Sequence, residues 1–376
     1  MKIIYTGGGT MGSVSPLIAI HQRLSAFAIS NQNATADRLQ VNKKNNIINN
    51  YKALWLGTRN GPEKEIIEKE GIKFKSIAAG KFRRYFDLNN ILDLFKILIA
   101  LWQSFFILIF FRPNIILSAG GFVSVPVVLV AWILGIPVLI HQQDIRPGLA
   151  NKLMAPAAAR ITVALDISLK DFSSRKTILV GNPVRIISNF QFPISKKISN
   201  FKFQNQLPVI LVMGGGTGAL AINNLILNNL NKLTKFCNVI HITGKNKNNK
   251  IINNNNNYKS FEFLGDQIFD VLNLADIVVS RAGLSSLTEL AYFKKPTIII
   301  PIPNSHQEDN AEYFADKNAC IYLKQDDLDK NIFISNIKNL IDSKEIKKQL
   351  AENIHKIFID YSGEKIIKEI CRIQKS

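Results

Sequence analysis

Short apolar runs recur along this 376-residue chain. Most are three to five residues long, and many are closed by glycine and followed by apolar positions at helical spacing. Runs of that length bounded by turn residues predict buried strands, and the spacing behind them predicts covering helices. The first half reads as strands over 3–5, 53–56, 74–78, 115–117, 137–140, 161–164 and 177–180. The second reads as strands over 209–213, 239–243, 261–264, 277–280 and 297–300. A helix over 63–70 starts behind Pro62, which suits a first helical position. Residues 188–207 read as a polar linker and helix, and the chain from 328 onward as amphipathic helix. The Asn-rich stretches 30–50 and 245–257 read as exposed loops. This strand–helix rhythm predicts an α/β protein with parallel sheets.

The glycine turns sharpen that picture. A strand over 209–213 runs into Gly214, Gly215, Gly216, Thr217 and Gly218, and a helix pattern begins behind Ala219. Residues 2–20 repeat the arrangement, with a turn from Gly7 to Gly12. Glycines let backbone approach a phosphate, and a helix start offers free N–H groups and a positive dipole end. Two such units, each opening one half of the chain, predict two Rossmann-like domains over 1–183 and 184–376, with the last helix returning to the first. A third glycine turn lies in SAGGFVSVP at 118–126, and HQQD at 141–144 ends a strand. GNPVR at 181–185 marks the junction.

Charge and composition add less. The net charge of +19 admits nucleic acid, anionic lipid or phosphorylated ligands as partners, and Lys-rich composition on solvated faces as a duller cause. No nucleic-acid-binding motif is visible, so that partner is not expected. Three scattered cysteines read as reduced thiols, and a start that enters a strand at once implies no secretory leader. Asn33-Ala34-Thr35 fits a glycosylation sequon but reads as surface loop. Residues 91–111 are almost long enough to cross a membrane, yet Asp93, Lys96, Gln103 and Ser104 interrupt them. Two readings carry more weight than a span: a wholly buried helix, and a peripheral contact in which Lys81, Arg83, Arg84, Lys96 and Arg112 meet anionic headgroups.

Taken in order, these motifs resemble the MurG family of N-acetylglucosaminyltransferases of peptidoglycan synthesis. The resemblance rests on GGGTMGSVSP at 7–16, SAGGFVSVP, IHQQDIRPGLANK at 140–152, GNPVR, MGGGTGALAIN at 213–223, RAGLSSLTE at 281–289 and HQEDNA at 306–311. It implies a GT-B fold, two Rossmann-like domains facing across a cleft. The implied reaction moves N-acetylglucosamine from UDP-GlcNAc to the C4 hydroxyl of the muramyl sugar of an undecaprenyl-pyrophosphate-linked acceptor. It proceeds with inversion, without metal or other cofactor, and the enzyme sits peripherally on the cytoplasmic side of the cell membrane. Another lipid-linked acceptor, or a silent UDP-sugar binder, stays open as an alternative.

By the same resemblance, Gly214 to Gly218 and Arg185 hold the donor diphosphate and Glu289 the ribose. Leu264 reads the uracil through its backbone, and Gly283, Leu284, Ser285, Ser286, Leu287 and Thr288 form the turn beneath the nucleotide. Gln307 and Asn310 contact the sugar, and Thr10, Met11, Gly12 and Asp144 complete the donor set. Gly8, Gly9, Ser13, Gly120 and Gly121 face the acceptor. His306 reads as a neighbour rather than a base, and Asp327-Leu328-Asp329 as a chance acidic pair rather than a metal triad.

The chain departs from the family where acid–base chemistry is most readily placed. Met11 and Ser13 stand where the family has glycine and histidine, and Gln142 and Asp144 where it has glutamate and asparagine. Neither serine nor glutamine takes a proton near neutral pH. Asp144 is therefore the candidate base, with His141 second; the alternative is that Asp144 only binds and the proton leaves through water.

Overall fold

The computed structural model describes residues 1–32, 52–59, 61, 63–80, 89–185, 201, 203–216, 218–247, 255–265 and 267–374. The expected loop over 33–50, the sequon, Asn60, Pro62, the basic residues 81–84, the linker over 188–200, Thr217 and residues 248–254 lie outside them. The chain forms two compact units, one of Met1–Ile186 with Ile359–Ser376 and one of Ile187–Phe358.

In the first unit the apolar runs become β1 (Lys2–Thr6), β2 (Lys52–Thr58), β3 (Lys73–Ile77), β4 (Ile115–Ser118), β5 (Val138–Gln142), β6 (Arg160–Val163) and β7 (Thr177–Leu179). They pair in parallel in the order β3-β2-β1-β4-β5-β6-β7. Strands buried on both faces are apolar at most positions, and β4 and β5 are buried throughout, their polar residues falling at the C-terminal ends. One face packs on α1 (Ser15–Gln32). The other packs on α3 (Asn89–Phe111), α4 (Ser124–Ile133) and α5 (Leu149–Met154). A short α2 (Glu63–Lys69) joins β2 to β3.

The second unit holds β8 (Val209–Met213), β9 (Asn238–Ile242), β10 (Tyr258–Phe261), β11 (Ile277–Ser280), β12 (Thr297–Ile299) and β13 (Ile321–Tyr322), in the parallel order β10-β9-β8-β11-β12-β13. Its helices are α6 (Leu220–Leu233), α7 (Ile268–Leu274), α8 (Leu284–Tyr292), α9 (His306–Asp316), α10 (Lys330–Asp342) and α11 (Lys344–His355). β10 ends three residues earlier than the apolar run suggests. The Leu264 carbonyl already accepts from Ile268 N at 3.2 Å, so the backbone there is turning into α7. β13 has only two residues, too few to show a period.

The last helix, α12 (Glu364–Ile373), packs Ile366, Ile370 and Ile373 into the first unit's core beside Leu17 and Leu24. Its approach is fixed by the GNPVR segment. Asn182 N donates to Asp360 O at 3.0 Å and Val184 N to Tyr361 O at 3.1 Å. Gly181 has φ +82°, and a Cβ there would collide with the Asp360 backbone, so glycine is required on both counts.

The long helix α3 is polar inward and apolar outward. Ser104 is buried and Gln103 accepts from Ala78 N at 2.8 Å. Phe95, Leu98, Ile99, Trp102, Phe106 and Phe110 lie exposed on one face, Trp102 at 66% and Phe110 at 80%. Of the residues that argue against a membrane span in the sequence, Ser104 is buried and Gln103 is tied to Ala78 while Lys96 is exposed, and the apolar stripe is uncovered among the described residues. No helix among the described residues is long and apolar enough to cross a membrane.

Candidate active site

In a parallel sheet the ligand crevice lies beyond the strand C-termini, where the strand order reverses. That point falls between β1 and β4 in the first unit and between β8 and β11 in the second. Each of those four strands ends in a glycine-containing segment.

In the first unit the turn behind β1 meets the one behind β4. A Cβ on Gly121 would stand 2.9 Å from Gly8 O, so the two backbones touch. Gly120 and Gly121 adopt φ of +99° and +90°. Ser124 Oγ donates to Gly120 O at 2.9 Å, and Gly120 N donates to Ser118 Oγ at 3.2 Å. Ser13 is buried and reaches Gly8 O at 3.3 Å and Thr10 O at 3.2 Å, so its hydroxyl closes the first turn from inside. Met11 and Gly12 form a short 3-10 turn with Ser13, and Thr10 is exposed. Gly9 has φ +83°, with no atom within 4 Å of the place a Cβ would take.

The HQQD segment arrives at the same edge. Gln143 donates through Nε2 to Gly12 O. Gln142 is buried, and its amide donates to Asp144 O at 2.6 Å and Arg146 O at 3.3 Å while accepting from Asn151 Nδ2 at 2.5 Å. An ionised glutamate could not donate to those two carbonyls. Asp144 is half-buried, its carbonyl also accepting from Ser168 Oγ at 3.4 Å.

His141 is placed otherwise. It is fully buried, with Nε2 2.9 Å from Asn182 Oδ1 and Nδ1 3.1 Å from Thr162 Oγ1. Burial lowers its pKa from 6.5 to about 4, against the opposing pull of the Asn182 hydrogen bond. The ring is neutral at pH 7, so it has one N–H. Asn182 Oδ1 only accepts, which puts that proton on Nε2 and leaves Nδ1 unprotonated beside Thr162 Oγ1. Both nitrogens are engaged in the core, and HQQD is tied to GNPVR.

The second unit repeats the plan. Gly215 has φ +81°, again with nothing within 4 Å of a would-be Cβ. Gly218 has φ +71°, and a Cβ there would strike Thr243 O. Lys247 Nζ donates to Gly218 O at 2.9 Å. α6 starts at once behind Ala219, with no side-chain cap and no acidic residue in its first turn. Its Asn223 donates to Thr243 O at 2.9 Å and faces His241 Nε2 at 3.0 Å.

Behind β11, Gly283 caps α8, so residues 284–288 are helix rather than turn. Leu284, Leu287 and Thr288 point into the core, which leaves backbone N–H groups and Ser285 and Ser286 at the surface of this end. Glu289 is half-buried and falls in the second turn of α8. Asn310 is fully buried and donates to Ala282 O at 2.9 Å, so it braces this segment from behind. Gln307 lies at the start of α9, its Oε1 3.3 Å from Ile302 N. Asp329 caps α10 through Asn331 N. Arg185 is half-buried at the end of GNPVR, in the first unit.

Sequence reasoning missed the braces. Arg281 is buried and donates to Ile300 O at 3.0 Å, Pro301 O at 2.6 Å and Gln325 Oε1 at 2.7 Å, with its pKa lowered by desolvation. Asn182, Asn151 and Asn223 are of the same kind. Each stands inside or beside a glycine motif, which is the signal that could have found them.

Two Rossmann-like units with these ends define a GT-B fold. Comparison with known proteins narrows the class. Residues 33–163 match the glycosyltransferase family 28 N-terminal domain and residues 209–367 its C-terminal domain. A UDP-N-acetylglucosamine–N-acetylmuramyl-(pentapeptide) pyrophosphoryl-undecaprenol N-acetylglucosamine transferase of Clostridium kluyveri is 37% identical over 349 residues, 91% of this chain and 92% of that one. Its namesake from Clostridium botulinum is 33% identical over 99% of this chain and 98% of that one. The MurG crystal structure from Acinetobacter baumannii superimposes with a TM-score of 0.68 at 21% identity, covering 100% of this chain and 99% of that one. A UDP-GlcNAc 2-epimerase from Neisseria meningitidis, bound to UDP-GlcNAc, gives 0.68 at 14%, covering 99% and 100%. At those identities the structures speak for the fold alone. The chain belongs to the MurG family of glycosyltransferases.

The buried histidines set a pH dependence. Burial lowers His21, His141 and His241 from 6.5 to about 4. A folded pKa below the unfolded one favours the neutral ring, so the stability is full above pH 6.5 and is lost as pH falls toward 4, on the order of 3 kcal/mol for His141. Urea unfolding between pH 7 and 5 is expected to show a falling midpoint in the wild type and a shallower fall in His141→Gln. Equal slopes would contradict the account.

Proposed function

We propose that this protein transfers N-acetylglucosamine from UDP-GlcNAc to the C4 hydroxyl of the muramyl sugar of an undecaprenyl-pyrophosphate-linked acceptor. The observation that carries this reading is the pair of open glycines, Gly9 and Gly215, one at the end of the first strand of each sheet. Two phosphate-bearing substrates need two such approaches, and the curated relatives are named for a nucleotide sugar and a lipid pyrophosphate.

In the second unit, Gly214 to Gly218 and the start of α6 take the donor diphosphate. Fixed N–H donors there stabilise the charge that grows on the leaving UDP. Backbone at 283–286 supports the nucleotide, Leu264 meets the uracil through its backbone, Glu289 accepts from the ribose and Gln307 contacts the sugar. Asn310 acts through Ala282, since its own amide is buried. Arg185, Thr10, Met11 and Gly12 complete the donor set. Gly8, Gly9, Ser13, Gly120 and Gly121 take the acceptor.

In the reaction the acceptor C4 oxygen attacks the anomeric carbon and the bond from that carbon to UDP breaks, with inversion. The hydroxyl proton goes to the Asp144 carboxylate. Two observations support Asp144: the Gln142 amide fixes its backbone, and His141 is held in the core. No metal takes part in this reading, so EDTA leaves the rate unchanged.

The enzyme works at an anionic membrane surface in this reading. The exposed stripe on α3 enters the headgroup region, with Trp102, Phe106 and Phe110 stacked along it at centroid spacings of 5.8 and 6.5 Å. Lys96 and Arg112 stand exposed on and just behind the same helix.

UDP release from UDP-GlcNAc, in EDTA, tests the reaction. Release that depends on a lipid I analogue is expected, with kcat of Asp144→Asn reduced ~10²–10⁴-fold; rates within a few-fold of wild type would remove Asp144 from the role. For the surface, Trp102→Glu with Phe110→Glu is expected to weaken binding to vesicles with anionic lipid at least tenfold. Unchanged partitioning would discard the α3 contact.

A further inference from the structure

Glu63 opens α2 and is wholly buried. A carboxylate out of water costs several kcal/mol unless its oxygens find donors. Here Oε1 accepts from Thr58 N at 2.8 Å and Thr58 Oγ1 at 2.5 Å, and Oε2 accepts from Gly9 N at 3.3 Å. All three donors are neutral, and among the described residues no ion pair involves it. Glycines surround it: a Cβ on Gly8 or Gly61 would run into its carboxylate, and one on Gly57 would stand 3.2 Å from Oε1. No other side chain fits between this carboxylate and the turn behind β1.

The arrangement has a direction. Glu63 holds Gly9 through the N–H, while the side of Gly9 where a Cβ would stand is open. A peptide at φ +83° behind two further glycines has many alternatives once released, and a charge-assisted hydrogen bond to a fixed carboxylate removes them. Gly9 N–H is thereby committed, so a ligand takes its donors elsewhere in the turn and meets Gly9 as shaped backbone.

We propose that Glu63 is the positioning residue of the acceptor-side turn, setting affinity for the lipid-linked acceptor through Gly8 and Gly9 without touching substrate. The proposal rests on the reading that this turn faces the acceptor. Within the turn Glu63 takes Gly9, Gln143 takes Gly12, and Ser13 bridges Gly8 and Thr10.

Initial rates of full-length Glu63→Gln test it, with a lipid I analogue varied at saturating UDP-GlcNAc and then the reverse. The amide keeps an acceptor for Thr58 but turns an N–H toward Gly9 N–H. The expected result is an acceptor KM raised at least tenfold, a UDP-GlcNAc KM within twofold of wild type, and faster amide exchange in the peptide covering 7–13. Thr58→Val removes only the hydroxyl donor and is expected to shift the acceptor KM the same way by a smaller factor; it decides the matter if Glu63→Gln does not fold. An unchanged acceptor KM, or both KM values rising together with a fall in Tm, would overturn the proposal. Wild-type protein that releases no UDP with the lipid I analogue would instead defeat the functional reading, before any variant is compared.

Discussion

The structure depends on backbone left bare at the ends of two parallel sheets. β1 and β8 each run into a turn that holds a glycine at φ near +80° with open space above it. Side-chain-bearing residues avoid that angle, and a Cβ would fill the space a ligand needs. A peptide presented so openly must be held from behind. In the first unit buried Glu63 and Ser13 do this, and in the second Lys247 and Asn223 hold Gly218 and the adjoining Thr243.

The braces follow one logic. Each unit carries a neutral imidazole near a strand's end, tied to an asparagine: His141 to Asn182 in the first, His241 to Asn223 in the second. Burial holds both rings uncharged at neutral pH. Amides complete the rest: Gln142 and Gln143 around the first turn, Asn310 behind Ala282. These groups hold the turns, and Gln142 fixes the backbone of the half-buried Asp144. Ser13 and Gln142, at positions where the family has ionisable groups, have become fastenings of the same kind.

Much of this was legible in the sequence, because its causes are local. A strand buried on both faces is apolar at most positions, so the runs announced nearly all thirteen strands among the described residues. A glycine needed for a left-handed angle is conspicuous in its own motif, so the turns and the two-domain plan were legible too. What escaped depends on contacts far apart in the chain. Glu63 looks like an ordinary first-turn helix residue until Gly9, 54 positions away, is seen on its carboxylate. Asn310 looks like a ligand contact until its amide is found on Ala282, 28 positions away. His141 looks titratable until Asn182 closes over it. Helix α3 misleads in its own way: Gln103 and Ser104 read as interruptions of an apolar face, yet face protein while the apolar face is uncovered.

The central claim is that each unit's open glycine receives one substrate. Equilibrium binding of UDP and of a lipid I analogue to Gly9→Ala and Gly215→Ala tests it most directly. The account predicts a crossed result: Gly215→Ala loses UDP and keeps the analogue, and Gly9→Ala does the opposite. Equal losses of both ligands in either variant, or no loss in both, would contradict it.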